Sequence, residues 1–97
     1  MQNPNGWVTI LETEVHMSTV HREQGFRFFV YPNDHEPAHV HVQKAQDWAK
    51  IQVSGDELEL LEVSRKMKAK DINKMLDIAE EHHKKLLTGW EEIHGST

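Results

Sequence analysis

The sequence predicts an α+β fold, an antiparallel β-meander of four to five strands with one long C-terminal helix packed across one face. Two observations predict it. Between residues 18 and 63, short β-prone runs alternate with turn signals, whereas after Val63 the apolar residues recur at spacings of three, four and seven. Alternation with a period of two is typical of strands, and the longer spacing is typical of one helix face. A chain of 97 residues has room for one such domain.

Turn signals separate the runs that are predicted as strands. The segment EQG at residues 23–25 is a three-residue connection ending in glycine, which is typical of a β-hairpin. The segments PND at 32–34 and SGD at 54–56 are rich in residues that favour turns. The predicted strands are residues 19–22, 26–32, 38–43, 48–53 and 57–63.

One helix is predicted from about residue 69 to 94. Its apolar stripe is Ile72, Met75, Leu76, Ala79, Leu86, Trp90 and Ile93. At 1.5 Å per residue this helix would be about 39 Å long, enough to cross a small sheet diagonally. Gly95 is a plausible C-terminal stop, and Gly89 is a point at which the last turn could break.

Residues 1–16 are predicted as an N-terminal extension or an added edge strand, and residues 17–97 as a single α+β domain. The opening is polar and turn-prone, and the segment WVTIL at residues 7–11 is β-prone. Met17 then begins a segment that resembles a chain start. The opening lacks the basic region and long apolar run of a secretory signal.

Composition narrows the classes of function. The chain has no cysteine, which excludes a disulfide framework and a thiolate nucleophile and fits a reducing compartment. No apolar run approaches the roughly 20 residues of a membrane span. A net charge of −5 argues against generic DNA binding, which depends on many lysine and arginine contacts to phosphates. We therefore expect a cytoplasmic protein with no membrane partner, and so small a domain favours a homodimer.

The chemistry is concentrated in the segment NDHEPAHVHVQ at residues 33–43, which holds three of the eight histidines. Because strand side chains alternate, the sheet face opposite the helix collects polar and aromatic residues. With two residues of the preceding loop, they predict a surface for a planar or anionic ligand, such as a nucleotide-like small molecule. The alternative is a wet sheet face that serves only solubility. The predicted ligand-binding residues are Arg27, Tyr31, Asp34, His35, His39, His41, Gln43, Trp48 and Lys50.

The same histidines predict a metal site. His39 and His41 lie two residues apart, so both imidazoles project from the same side of one strand. His35 or Asp34 from the preceding loop could supply a third ligand and leave a position open for water. The predicted metal ligands are therefore His35, His39 and His41, and the expected cofactor is a divalent metal such as zinc.

His39 and His41 are also the candidate catalytic residues. The segment HVHVQ at residues 39–43 resembles the strand motif of the histidine-triad and galactose-1-phosphate uridylyltransferase families. That resemblance implies that His41 is a nucleophile toward phosphorus and that Gln43 assists on the oxyanion side. Without that motif, a pair of histidines could still act as general acid and general base on RNA.

A basic run, RKMKAK at residues 65–70, lies just before the predicted helix. Positive charge at a helix N-terminus opposes the helix dipole, and an anionic ligand or acidic partner would relieve that opposition. The alternative interpretation is a solvated basic segment that leads into an acidic helix.

A longer pattern covers about four-fifths of the chain. It consists of GFRFF at 25–29, Tyr31, NDH at 33–35, Pro37, HVHV at 39–42, EEH at 80–82, LL at 86–87 and Trp90. On these residues the chain resembles a small bacterial family known only as a domain of unknown function. The family usually has a second proline before the histidine pair, where this chain has Ala38. Members are often encoded beside another small protein and assigned to toxin–antitoxin pairs, so the resemblance implies a bacterial or phage protein with a small protein partner.

Two functions follow as expectations. The first is a small toxin–antitoxin-like binding module that engages a partner protein or an anionic, nucleotide-like ligand through the histidine and aromatic face. The second is a histidine-dependent phosphodiesterase, nuclease or nucleotide hydrolase that is assisted by a metal. The first is favoured because the sequence places no acidic residue other than Asp34 as an obvious base or metal ligand.

Overall fold

The computed structural model describes residues 17–95, which form one antiparallel sheet followed by two helices. The strands follow the chain order across the sheet, as a meander does. They are β1 (Ser18–Glu23), β2 (Phe26–Val30), β3 (His39–Lys44), β4 (Asp47–Gln52) and β5 (Glu59–Val63). The helices are α1 (Ala69–Glu81) and α2 (His83–His94). The predicted α+β class and five-stranded meander are confirmed.

The core lies between the helices and one face of the sheet. Alternate residues of β2, β3 and β4, together with Val53 just after β4, are buried there: Phe26, Phe28, Val30, Val40, Val42, Ala49, Ile51 and Val53. The helices bury Met75, Ile78, Ala79, Leu86 and Trp90 against this face. The opposite face of the sheet is therefore left to the polar and aromatic side chains of the same strands.

The prediction of one long helix is wrong in its helix count, because the helix breaks at His82. The backbone there has φ −111° and ψ 23°, although its N–H still donates to Ile78 O at 3.1 Å. After the break, α2 packs against β1, β2 and β3. The apolar spacing continues through the break, with seven residues from Ala79 to Leu86, so periodicity alone gives no sign of it.

Two irregularities interrupt the regular pairing of the strands. The register between β4 and β5 pairs Lys50 with Glu62 and Ile51 with Leu60, so Leu61 is an extra residue in a bulge. Leu61 is 39% exposed as a result. A second bulge between β1 and β2 leaves Val20 without a cross-strand partner.

The remaining predictions concern the glycines near the end of α2, the N-terminal segment and membrane spans. Gly95 ends α2 with φ 74°, and its N–H donates to Glu91 O at 2.8 Å, as expected for a C-terminal stop. Gly89 lies inside α2 and does not interrupt it. The extension or edge strand predicted for residues 1–16 lies outside the described residues. Neither helix in the described part of the chain has the length and apolarity that crossing a bilayer requires.

Candidate metal centre

Asp34, His39 and His41 converge at the β2–β3 connection. Asp34 comes from the loop, and the two histidines come from alternate positions of β3. Asp34 Oδ2 lies 3.1 Å from His41 Nε2 and 3.5 Å from His39 Nε2. One ligand atom from each of the three residues lies within 4.8 Å of the others, so the group could hold a metal ion.

Local hydrogen bonds aim the Asp34 carboxylate at the histidines. The backbone N–H of Tyr31 donates to Asp34 Oδ2 at 3.1 Å, and the backbone N–H of Asp34 donates to Tyr31 O at 3.2 Å. Aspartate closes such turns readily because its short side chain reaches nearby backbone N–H groups. The turn therefore determines that Asp34, and not its neighbour, points into the site.

His39 is held in one orientation from two sides. Its Nδ1 lies 2.9 Å from Pro37 O, and because a carbonyl only accepts, Nδ1 carries the proton and donates. Its ring is 7% exposed and lies 5.1 Å from the Trp90 ring, which stacks on His94 at 3.7 Å. With the proton on Nδ1, this tautomer presents a lone pair at Nε2, toward Asp34.

His41 stands in an aromatic setting. Its ring stacks on Phe29 at 5.5 Å and meets the edge of Tyr31 at 4.8 Å. Burial lowers the pKa of His41 below its ordinary value, against the opposing effect of the Asp34 carboxylate, and the nearby His39 and Lys50 lower this pKa further. His41 is therefore a neutral imidazole near neutral pH, which is the form that binds metals.

An aromatic hollow of about 270 Å³ adjoins His41. Its lining is Phe29, Tyr31, His41, Val42, Gln43, Trp48 and Ala49. Trp48 is 48% exposed, and Arg27 covers Phe29 with its guanidinium 4.7 Å from the ring centroid. Arg27 Nη2 also donates to Gln43 Oε1 at 3.1 Å. The hollow thus has apolar walls with one amide at its rim.

A second depression, of about 330 Å³, lies on the other side of the metal ligands. Its lining includes Asn33, Asp34, His35, His39, Lys50 and Leu61. Lys50 stands directly across from His41 in the β3–β4 register, and its Nζ lies 3.6 Å from Glu62 Oε2. The Asp34, His39 and His41 group therefore lies between two openings, one aromatic and one polar.

The structure sorts the predicted site residues into two sets. Asp34, His39 and His41 form the candidate metal centre, while Arg27, Tyr31, Gln43 and Trp48 surround the aromatic hollow. His35, the predicted third metal ligand, is exposed and is not part of the ligand group; Asp34 takes that place. Sequence reasoning missed Trp90 as the support of His39, since helical spacing indicates only that Trp90 is core.

A second histidine–carboxylate group joins β1 to the helix break. Glu23 Oε1 lies 2.9 Å from His21 Nε2 and 3.2 Å from His82 Nε2. Lys85 Nζ donates to His21 Nδ1 at 3.0 Å, so this contact selects the tautomer of His21 that carries its proton on Nε2 and donates it to Glu23. That hydrogen bond lowers the pKa of Glu23. The proton on His21 Nε2 lies between His21 and Glu23, where an ion would have to bind, so this group is a poor metal site. Its contacts instead connect β1 to the helix break.

Comparison with known proteins supplies one match. A profile of the family described as domain of unknown function (DUF4160) matches residues 25–91. This range includes every residue of the candidate metal centre and of the aromatic hollow. No curated protein and no solved structure matches the chain.

Proposed function

We propose that the chain, which belongs to the DUF4160 family of domains of unknown function, is a divalent-metal-binding module. Asp34, His39 and His41 hold one ion, zinc being the first candidate, on the open side of the sheet. The ion's remaining coordination positions engage an anionic ligand. Three protein ligands with an open position distinguish such a site from a closed, structural one.

The observation that carries this proposal is the pair formed by His39 Nε2 and Asp34 Oδ2. Both atoms are acceptors when His39 is neutral, so a second proton or a cation between them would replace a repulsive contact by an attractive one. Their separation of 3.5 Å is long for a charge-assisted hydrogen bond, which spans about 2.7–2.9 Å. Two ligands bound about 2.0–2.1 Å from a tetrahedral ion lie about 3.3 Å apart, close to this distance and to the 3.1 Å between Asp34 and His41. The spacing favours an ion.

Features around the three ligands support the same conclusion. Two imidazoles and one carboxylate are a ligand set that suits zinc and other divalent transition metals. The Nδ1–H of His39 donates to a backbone carbonyl, which is how ligating histidines are commonly oriented. A divalent ion less the single charge of Asp34 leaves +1 at the site, and this charge favours an anion.

Metal titration by calorimetry tests the proposal. Untagged, metal-free wild-type protein is expected to bind one Zn²⁺ per chain, and Asp34→Asn, His39→Ala and His41→Ala are each expected to weaken binding by at least about tenfold. His35→Ala is the matched control, because His35 is exposed in the same loop and is expected to bind Zn²⁺ as the wild type does. Unchanged affinity in Asp34→Asn would contradict the proposal.

A metal-assisted phosphodiesterase is the second candidate. Three protein ligands leave coordination positions for water, and catalytic metal sites activate water in this way. A histidine nucleophile is less favoured, because His41 Nε2 is turned toward Asp34. Incubation of the zinc- and manganese-loaded protein with RNA and nucleotides tests this function, with Asp34→Asn as the inactive reference. If the loaded wild type cleaves nothing, the domain is a binding module alone.

A small protein partner, as in toxin–antitoxin pairs, is the third part of the proposal. It is supported by the exposed apolar side chains of Trp48 and Leu61 in neighbouring strands. Co-expression with a small protein encoded beside this one, as the family resemblance implies, followed by size-exclusion chromatography with light scattering, tests both this partnership and the expected homodimer. Co-elution that Leu61→Asp abolishes is the expected result, and a monomer that elutes alone would contradict both expectations.

A further inference from the structure

The aromatic hollow and the candidate metal centre share one side chain. The ring of His41 lines the hollow, while its Nε2 faces Asp34 Oδ2 at 3.1 Å. A molecule in the hollow therefore lies beside any ion held by the three ligands. The hollow's volume of about 270 Å³ suits one planar ring system better than a larger ligand.

Trp48 supplies a stacking surface that the fold itself does not use. Among residues 17–95, no aromatic ring or cation stacks on its indole, which is 48% exposed. Its backbone is nonetheless anchored, because its N–H donates to Ser64 Oγ at 3.1 Å and its O accepts from Ser64 N at 2.8 Å. Exposed aromatic rings on a sheet face are what proteins use to stack nucleobases.

Gln43 adds hydrogen-bonding capacity at the rim of the hollow. It stands directly across from Trp48 in the β3–β4 register. Because arginine only donates, the contact with Arg27 fixes the side-chain oxygen of Gln43 toward Arg27 and turns its NH₂ group away. A nucleobase edge carries acceptors for that NH₂ group, whereas a phenyl ring carries none.

We infer that the anionic ligand of this centre is a nucleotide, whose phosphate group reaches the metal ion and whose base lies in the hollow against Trp48 with its edge at Gln43. This inference rests on the proposed metal-binding function. The shared chemistry is a nucleobase joined to a phosphate ester, and it occurs both in a free mononucleotide and at the 5′ end of an RNA. A net charge of −5 favours the mononucleotide, since a longer polyanion meets repulsion away from the site.

Calorimetry on the zinc-loaded protein tests the inference with AMP, UMP, ribose 5-phosphate and phenyl phosphate. The nucleotides are expected to bind at least about tenfold more tightly than ribose 5-phosphate, because stacking on an aromatic side chain contributes about 1–3 kcal/mol to the binding free energy. Phenyl phosphate is expected to bind more weakly than AMP, because it offers nothing to Gln43. A 5′-phosphorylated trinucleotide separates the two sources: binding about tenfold tighter than AMP indicates an RNA end, and equal binding indicates a free nucleotide.

Two substitutions at Trp48 make the assignment specific. Trp48→Ala is expected to lower AMP affinity to the level of ribose 5-phosphate, while Trp48→Phe, which keeps a stacking ring, retains most of it. Both variants are expected to bind Zn²⁺ and ribose 5-phosphate as the wild type does, which shows that they fold. Ribose 5-phosphate binding as tightly as AMP, or no phosphate ligand binding to the zinc-loaded protein, overturns the nucleotide assignment while the metal site stands. Absence of Zn²⁺ binding overturns both proposals.

Discussion

The position of one proton separates the two histidine–carboxylate groups of this domain. In the candidate metal centre, Pro37 O holds the proton of His39 on Nδ1, so a lone pair faces the carboxylate. In the group around Glu23, Lys85 occupies Nδ1 of His21, so a proton on Nε2 faces the carboxylate. Residue types alone make the two groups equivalent. The hydrogen-bond partner of Nδ1, the ring nitrogen that points away from the carboxylate, decides which group is suited to a cation.

Gly89 is a residue at which packing and helix propensity oppose each other. A Cβ there would lie 2.7 Å and 2.8 Å from the two methyl carbons of Val20. Alanine is favoured over glycine in a helix by about 1 kcal/mol, whereas overpacking typically costs about 1–3 kcal/mol. We therefore expect Gly89→Ala to lower the free energy of unfolding by about 1 kcal/mol, measured by urea denaturation.

A double-mutant cycle with Val20→Ala isolates the steric effect. In the Val20→Ala background the two methyl groups are absent, so Gly89→Ala is expected to stabilise the domain. Thr88→Ala, at an exposed position of the same helix, is the control for propensity alone. If Gly89→Ala stabilises the protein that retains Val20, α2 moves away from β1 without cost and the close contact is unimportant.

At the scale of elements, the strands were predictable and the helix break was not. The shared face of Val40 and Val42, and that of Ala49 and Ile51, could be predicted, because alternate residues of a strand point to the same side of the sheet. The break at His82 has neither proline nor glycine within it, and it depends on contacts with Glu23 and His21 that are distant in sequence. Helical periodicity contains no information about such contacts.

The same reasoning explains which part of the site was predictable. His39 and His41 lie on a strand, so their common side follows from their spacing, and their pairing with the aromatic residues follows from the meander. The third member of the candidate group comes from a loop, where no period sets the direction of a side chain. Asp34 and not His35 joins the candidate group because the turn with Tyr31 determines its orientation, and an aspartate in the turn segment PND was the available signal.

The contact between Glu23 and the helix break makes stability depend on pH. The hydrogen bond from His21 lowers the pKa of Glu23 below its ordinary value of 4.5, against the opposing effect of burial, and the nearby His82 lowers this pKa further. A carboxylate with a lowered pKa in the folded state contributes stability above its unfolded pKa and loses it as pH falls through the folded value. We therefore expect Glu23→Gln to be less stable than the wild type at pH 7, with a smaller difference between the two at pH 3.

Urea denaturation at the two pH values measures this difference. Glu80→Gln is the matched control, since Glu80 is exposed on α1 and is expected to show no difference between variant and wild type at either pH. A deficit of Glu23→Gln that persists unchanged at pH 3 would show that the carboxylate charge is not what holds β1 to the break.

On the scale of the whole molecule, stability and chemistry are assigned to opposite faces of one sheet. The helices and the apolar residues of β2, β3 and β4 form the core on one side. The ligand residues and the aromatic hollow project mainly from the other side, so most of them can change without opening the core. His39 is the exception, because its buried ring contacts Trp90 of α2 and thereby links the candidate centre to the core.

A bound ion should therefore stabilise the whole fold. Binding to the folded state alone adds about 2.7 kcal/mol when free Zn²⁺ is a hundredfold above its Kd, and each kcal/mol raises Tm by about 4–8 °C in a domain of this size. We expect Zn²⁺ to raise the wild-type Tm by roughly 10–20 °C in a thermal melt. Asp34→Asn should show little of this rise, and Trp48→Ala should show all of it, because Trp48 is not one of the three candidate ligands. If Asp34→Asn gains as much as the wild type while Glu23→Gln does not, the stabilising ion lies in the group around Glu23, and the assignment of the metal centre to Asp34, His39 and His41 is wrong.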